Sequence, residues 1–200
     1  VPRHRLILII ACIVGAAIAG GLAWKAGVFR TQEEASAGAV GGPFQLVDQT
    51  GKPVDQTLLN GKWNAVFFGF TWCPDICPGT LQALTAASDQ LGPKAKDLRI
   101  VFISVDPARD TPAKVKEWID AQSAPEGTVG LTGTPEQVAA AAKAYRVVYE
   151  KAGEGENYLV NHSTAIYLMD PKGRFKRVVA YGMTPEQMAD QIRAAMRGDG

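Results

Sequence analysis

Cys73 and Cys77, in the stretch TWCPDICP, and His162, in LVNHSTAIYLMD, are the side chains of this 200-residue chain whose types and spacing are best suited to chemistry. The remaining cysteine, Cys12, lies in an apolar run and reads as a small hydrophobe, and the other histidine, His4, sits near the N-terminus. Two thiols separated by three residues admit a disulfide staple, a redox pair or a metal site. A disulfide across so short a loop constrains little of the unfolded chain, so a staple is the poorest of the three. A redox pair at a strand–helix junction is the thioredoxin arrangement, but those enzymes space their cysteines by two residues, C-x-x-C. A metal site needs a third ligand, and His162, placed just ahead of a predicted strand, offers an imidazole. Two thiolates and one imidazole form a soft set in which thiolates favour Cu(I) and imidazole with an added oxygen serves Cu(II). Cys₂His plus water also suits zinc, although no fourth fixed ligand is evident. A peroxide-reactive thiolate, which also profits from a helix N-terminus, is a further alternative.

The prolines locate the sulfurs. Pro78 lacks an N–H and fits only the first turn of a helix, so a helix should begin near Cys77. Pro74 pushes Cys73 away from helical dihedrals and into the preceding loop. Cys77 then lies at the positive end of the helix macrodipole, and the expectation is that both thiols ionise more readily than a free cysteine.

Those positions require a framework of alternating strands and helices. NAVFFGF (64–70) and LRIVFISV (98–105) are short continuous apolar runs, the pattern of strands covered on both faces. AIYLMD (165–170) and RFKRVVAY (174–181) read as an antiparallel pair, and FQLVDQTGKPVDQ (44–56) as a β-hairpin turning at Thr50-Gly51. Helices are predicted over 78–91, 112–122, 135–145 and 185–196. Three of them are announced by Thr-Pro, a hydroxyl at the N-cap and proline at the first helical position, and in TPEQ at 134 and 184 the Gln can close a capping box. The order implies an α/β fold, a central mixed β-sheet with helices on both faces. Met188, Ile192 and Met196 form a helical stripe that reads as core, leaving Met183 as the methionine nearest a metal-contact role.

Lys and Arg total 21 against 20 Asp and Glu, a net charge of +1, and no basic run exceeds two residues, so nucleic acid is excluded as a partner. Residues 6–24 carry no charge, and about 19 residues at 1.5 Å each span roughly 28 Å, the hydrocarbon thickness of a bilayer. This reads as one uncleaved transmembrane helix within an anchor at 1–30, followed by a small polar tether at 31–43 and a folded domain at 44–200. Arg3 and Arg5 before the span balance Lys25 and Arg30 after it; His4, the amino group and Glu33-Glu34 tip the orientation towards a cytoplasmic N-terminus.

FGFTWCPDICPGTL (68–81), SVDPARDTP (104–112) and HSTAIYLMDPKGRF (162–175), behind such an anchor, closely resemble the Sco/SenC family of copper-binding assembly proteins, and the likeness runs from about residue 44 to the C-terminus. The resemblance implies a thioredoxin-like fold with an inserted hairpin, held at the inner membrane with its domain in the periplasm. It implies Cu(I) and Cu(II) bound by Cys73, Cys77 and His162, and a role with cytochrome c oxidase subunit II: delivering copper to its binuclear centre, or reducing its cysteines. A copper donor and a thiol reductant would be further partners. The family often carries Asp before the histidine, where this chain has Asn161, which bears on how the imidazole is steered. Asp75, Asp106 and Arg109 also match family positions. Asp75 reads equally as a turn residue and Asp106 as a strand-end cap, while Arg109 is a candidate for partner docking.

Overall fold

The run read as a doubly covered strand is the central strand of the protein, and its alternation sorts the core into two layers. The computed structural model describes residues 40–198. In chain order its elements are β1 (Gln45–Asp48), β2 (Pro53–Asp55), β3 (Trp63–Gly69), α1 (Ile76–Gln90), β4 (Leu98–Ser104), α2 (Pro112–Ala121), β5 (Val129–Thr132), α3 (Pro135–Ala144), β6 (Tyr149–Ala152), β7 (Leu159–His162), β8 (Ile166–Met169), β9 (Phe175–Val179) and α4 (Pro185–Arg197). Short 3₁₀ turns at Gln56–Leu59 and Gly92–Asp97 complete it.

Seven strands form one mixed sheet in the order β2-β1-β5-β4-β3-β8-β9. β3 runs parallel to β4, and β4 to β5, while β8 pairs antiparallel with β3. Val66, Phe68 and Phe70 face a layer completed by α3 (Val138, Ala141, Ala142), Tyr145 and Tyr167. Ala65 and Phe67 face the opposite layer, completed by α1 (Leu81, Leu84), α2 (Val115, Ile119) and α4 (Met188, Ile192). This is the thioredoxin-like α/β arrangement, with both sheet faces covered. Met188 is buried, and Met196 and Met183 pack against the same layer, so Met183 belongs with the core methionines.

Local chemistry explains most boundaries. Thr111, Thr134 and Thr184 each cap a helix through the side-chain oxygen, and the last two form full capping boxes with Gln137 and Gln187. The β1–β2 turn uses Gly51 at φ +84°, where a side chain would be strained. α1 starts at Ile76, so Pro78 stands in the first turn, where N–H groups have no intrahelical acceptor.

Two strand regions depart from the sequence reading. β5 is only VGLT, with a glycine inside it, and shows no alternation to detect. β6 and β7 form a separate two-stranded antiparallel ribbon in which Val160 is the one fully buried side chain. Residues 40–43, taken in the sequence as the end of the tether, dock on the domain: Gly41 N–H donates to the Ala144 carbonyl at 2.9 Å, and Val40 packs on the core. The anchor with its 6–24 span, His4, Cys12 and tether residues 31–39 lie outside the described residues. Among the described residues no helix is long and apolar enough to cross a membrane.

Candidate metal centre

The C-terminal ends of β3 and β4 lie side by side, Gly69 opposite Ser104, and the loops that leave them carry the candidate residues. Such strand ends are where open α/β sheets place ligands. Cys73 is half-buried in the loop after β3, and Cys77, the second residue of α1, is 1% exposed. Both are free thiols. The Cys77 N–H donates to Cys73 Sγ at 3.3 Å, so the helix N-terminus holds the first sulfur while the second is tucked beneath the strand end. Gly69 makes that tuck possible: a Cβ there would stand 2.6 Å from Cys77 Sγ and 3.0 Å from the Phe102 ring. Gly69→Ala is therefore expected to displace the thiol and lower stability by about 1–3 kcal/mol, the usual range for overpacking. Thermal unfolding checks it; an unchanged Tm would mean that the thiol has room to move.

Burial corrects the expectation that both thiols ionise easily. Removal from solvent pushes the Cys77 thiol well above the ordinary range, and only a backbone hydrogen bond from Phe70 acts in the other direction. The helix dipole favours the thiolate, and the desolvation of a buried sulfur outweighs it. Burial thus favours the neutral thiol at Cys77.

His162 arrives on the ribbon. It is the last residue of β7, paired with Tyr149, and not a loop residue as the sequence suggested. Its Nδ1 lies 2.9 Å from the Ser163 carbonyl, an acceptor, so Nδ1 carries the proton and Nε2 presents its lone pair. Nε2 stands 3.5 Å from Cys77 Sγ, and Phe70 packs edge-on against the imidazole. Among the described residues no three His, Cys, Asp or Glu side chains already stand as a ready metal cage. The third candidate, Cys73, is turned towards the Cys77 N–H.

The remaining candidates separate. Asp106, 5% exposed, accepts from Tyr158 Oη at 2.6 Å and from Arg109 Nε at 2.5 Å. Arg109 is turned inward, its side chain 14% exposed, with its guanidinium carbon 3.6 Å from the Tyr158 ring centroid and 5.2 Å from that of Trp72. It has little surface to offer a docking partner. Asp75 is exposed at the N-cap of α1 and makes no side-chain capping bond. Asn161 is exposed, and strand alternation turns it to the face opposite His162, whose Nδ1 is served by the Ser163 carbonyl instead.

The sequence reading passed over Asp110. Fully buried, it accepts from Thr71 N–H at 3.0 Å, Thr71 Oγ1 at 2.6 Å and Ser104 Oγ at 2.6 Å, tying the cysteine loop to the end of β4. Burial raises its pKa, partly offset by those three bonds. Its signal was present in SVDPARDTP, where a second acid stands directly before the helix cap.

Beside Cys73 an open groove of about 460 Å³ runs between the loop and α2, lined by Thr71, Trp72, Cys73, Lys114, Glu117 and Trp118. A larger hollow of about 680 Å³ lies away from the thiols, against the β1–β2 hairpin.

A thioredoxin-like domain with two thiols at the strand–helix junction and an imidazole brought to them by an extra ribbon defines a class distinct from the C-x-x-C oxidoreductases. The SCO1/SenC family model matches residues 32–197. Protein SenC of Rhodobacter capsulatus is 45% identical over 154 residues, 76% of this chain and 69% of that one. The mitochondrial SCO1 homolog 1 of Arabidopsis thaliana is 42% identical over 170 residues, 83% of this chain, which spans half the length of that relative. Among solved structures, Arabidopsis thaliana ScoI with copper bound superimposes with a TM-score of 0.75 at 41% identity, covering 80% of this chain and 99% of that one. Bradyrhizobium japonicum ScoI with copper bound gives 0.70 at 40%, covering 78% and 98%. This chain belongs to the SCO1/SenC family.

Proposed function

We propose that this chain is a membrane-tethered copper metallochaperone that binds Cu(I) and Cu(II) through Cys73 Sγ, Cys77 Sγ and His162 Nε2. The single observation that carries the reading is the imidazole with its proton fixed on Nδ1 and its Nε2 lone pair 3.5 Å from Cys77 Sγ. A thiol exchanger has no use for such a group. The donor set is soft and suits copper, and similar structures hold copper. Cys73 completes the set by rotating away from the Cys77 N–H, and the apolar side of Phe70 shields the imidazole. The recipient is cytochrome c oxidase subunit II, whose binuclear copper centre the protein helps to assemble. A copper donor loads it, a thiol reductant keeps Cys73 and Cys77 reduced, and the 6–24 span holds the domain on the periplasmic side of the inner membrane. The groove beside Cys73 gives a partner access to the metal from the loop side.

Because Cys77 is held protonated by burial, loading must expel at least one proton. Apparent copper affinity is therefore expected to rise at least about tenfold per pH unit between about pH 6 and 8, with matching proton release in calorimetry run in buffers of different ionisation heat. A flat profile would contradict a thiol ligand at Cys77.

The half-buried Cys73 at an open groove supports a second reading, a thiol–disulfide oxidoreductase that reduces the cysteines of that subunit or of another extracytoplasmic partner without using copper. Cys73 attacks a partner disulfide, Cys77 resolves the mixed disulfide, the partner leaves as two thiols, and an external thiol reductant restores the pair. Exchange rates that do not respond to His162→Ala would favour it.

A further inference from the structure

The ribbon that delivers His162 has no core of its own. Two strands of four residues with one fully buried side chain are marginal in isolation, and the ribbon pairs with no strand of the main sheet. The cysteines, by contrast, lie just beyond the buried central strand β3, Cys73 in the loop that leaves it and Cys77 in the first turn of α1. The site therefore joins a rigid half to a loosely supported one, and the geometry of the imidazole depends on what clamps the two together.

The geometry points to Arg109 as that clamp: a positioning residue that fixes the His162 ribbon to the cysteine loop through the Tyr158 ring and Asp106. This inference rests on the metal-site reading above. On the ribbon side, the guanidinium sits over the Tyr158 ring, 3.6 Å from centroid to guanidinium carbon, and Nη1 donates to the Glu156 carbonyl at 3.1 Å. The Tyr158 hydroxyl donates to the same Asp106 carboxylate that receives Arg109 Nε. On the cysteine side, the guanidinium faces Trp72, the residue before Cys73, and Phe70, which touches His162. The loop that bears Arg109 is itself anchored to Thr71 through Asp110 and to β4 through Ser104. An unbroken path of packed and hydrogen-bonded groups thus runs from Thr71 to the ribbon. Arg109 Nη2 is buried without a hydrogen-bond partner among the described residues. A guanidinium enclosed by aromatic faces draws compensation from them, and lysine, lacking the planar fork, cannot reproduce that stack.

The test uses the 200-residue chain in detergent micelles, because of its apolar 6–24 stretch. Amide hydrogen exchange is followed without metal, and Cu(II) resonance with metal. Arg109→Leu is expected to raise exchange across 149–162 roughly tenfold or more while β3 and β4 keep their protection. The same variant should weaken the nitrogen hyperfine signature of bound Cu(II) and lower copper affinity, and Arg109→Lys should not rescue either. Should Arg109→Leu not fold, Tyr158→Leu removes the other face of the clamp from a half-exposed position and should give the same ribbon loosening. The double variant should loosen the ribbon by less than the two single effects combined, since both remove the Arg109–Tyr158 contact. Wild-type ribbon protection in these variants overturns the inference. So does full rescue by lysine, or a loosened ribbon that still binds copper with wild-type affinity and nitrogen signature. Failure of the metal-site reading is seen separately, as wild-type protein whose copper binding is indifferent to His162→Ala.

Discussion

His162→Ala is expected to lower copper affinity by at least about 100-fold and to remove the nitrogen signature of bound Cu(II), with little change in folding stability. Four-ligand zinc sites gain roughly 10–16 kcal/mol, so one ligand of a small set is worth about 3 kcal/mol, which is on the order of 100-fold. Stability should hold because the imidazole is half-buried at the end of a ribbon and its one local bond is to the adjacent carbonyl. The variant also leaves both thiols in place, so Cys73–Cys77 oxidation remains possible, and this separates the two functional readings. Copper titration of the reduced 200-residue chain, with absorption and paramagnetic resonance after Cu(II) addition, checks it. Equal binding in wild type and variant would sink the three-ligand reading and leave the pair as redox machinery.

How far the site could be read in the sequence follows from how locally each part is specified. Cys73 and Cys77 were placed correctly because Pro74 and Pro78 act on neighbouring backbone alone, and the Thr-Pro caps were legible for the same reason. The central strands were legible because burial on both faces leaves an unbroken apolar run. The ribbon was not, because YEKA and LVNH bury only Val160 and show no period; Val160 packs on the main core and Tyr158 meets Asp106 and Arg109 of the β4–α2 loop, contacts that only tertiary structure brings together. Cys77 ionisation was misjudged for a related reason. The helix dipole is visible in a helix start, whereas desolvation depends on the tertiary packing that buries Cys77 beside Gly69 and in the core layer on that face of the sheet. Asp110 and Asp106 stand four residues apart in one motif, and only tertiary structure shows that one ties the cysteine loop and the other the histidine ribbon.

Asp110→Ala is expected to be the most destabilising single change near the site, by about 3 kcal/mol or more. It would strip partners from the Thr71 N–H, the Thr71 hydroxyl and the Ser104 hydroxyl together, and each buried donor left unmade costs about 1–3 kcal/mol, less where water reaches half-buried Thr71. Asp110→Asn should be far milder. Its carbonyl oxygen can accept from Thr71 N–H and Ser104 Oγ while its amide donates to Thr71 Oγ1, much as a protonated carboxyl would. The pair also tests the sign of the carboxyl's pH dependence. With its pKa raised by burial, folded Asp110 holds its proton more tightly than the unfolded chain does. Its contribution is therefore fully present below the ordinary carboxylate pKa and is lost as pH rises through the folded value. Urea midpoints taken from about pH 4 to pH 7 should show wild type losing ground to Asp110→Asn, which has no proton to lose. A wild type that instead gains on the Asn variant as pH rises would mean that the three hydrogen bonds favour the charged form by more than burial disfavours it. The cysteine loop would then be tied down by a buried carboxylate, and Asp110→Ala should weaken copper binding through the freed Thr71 segment as well as destabilise the fold.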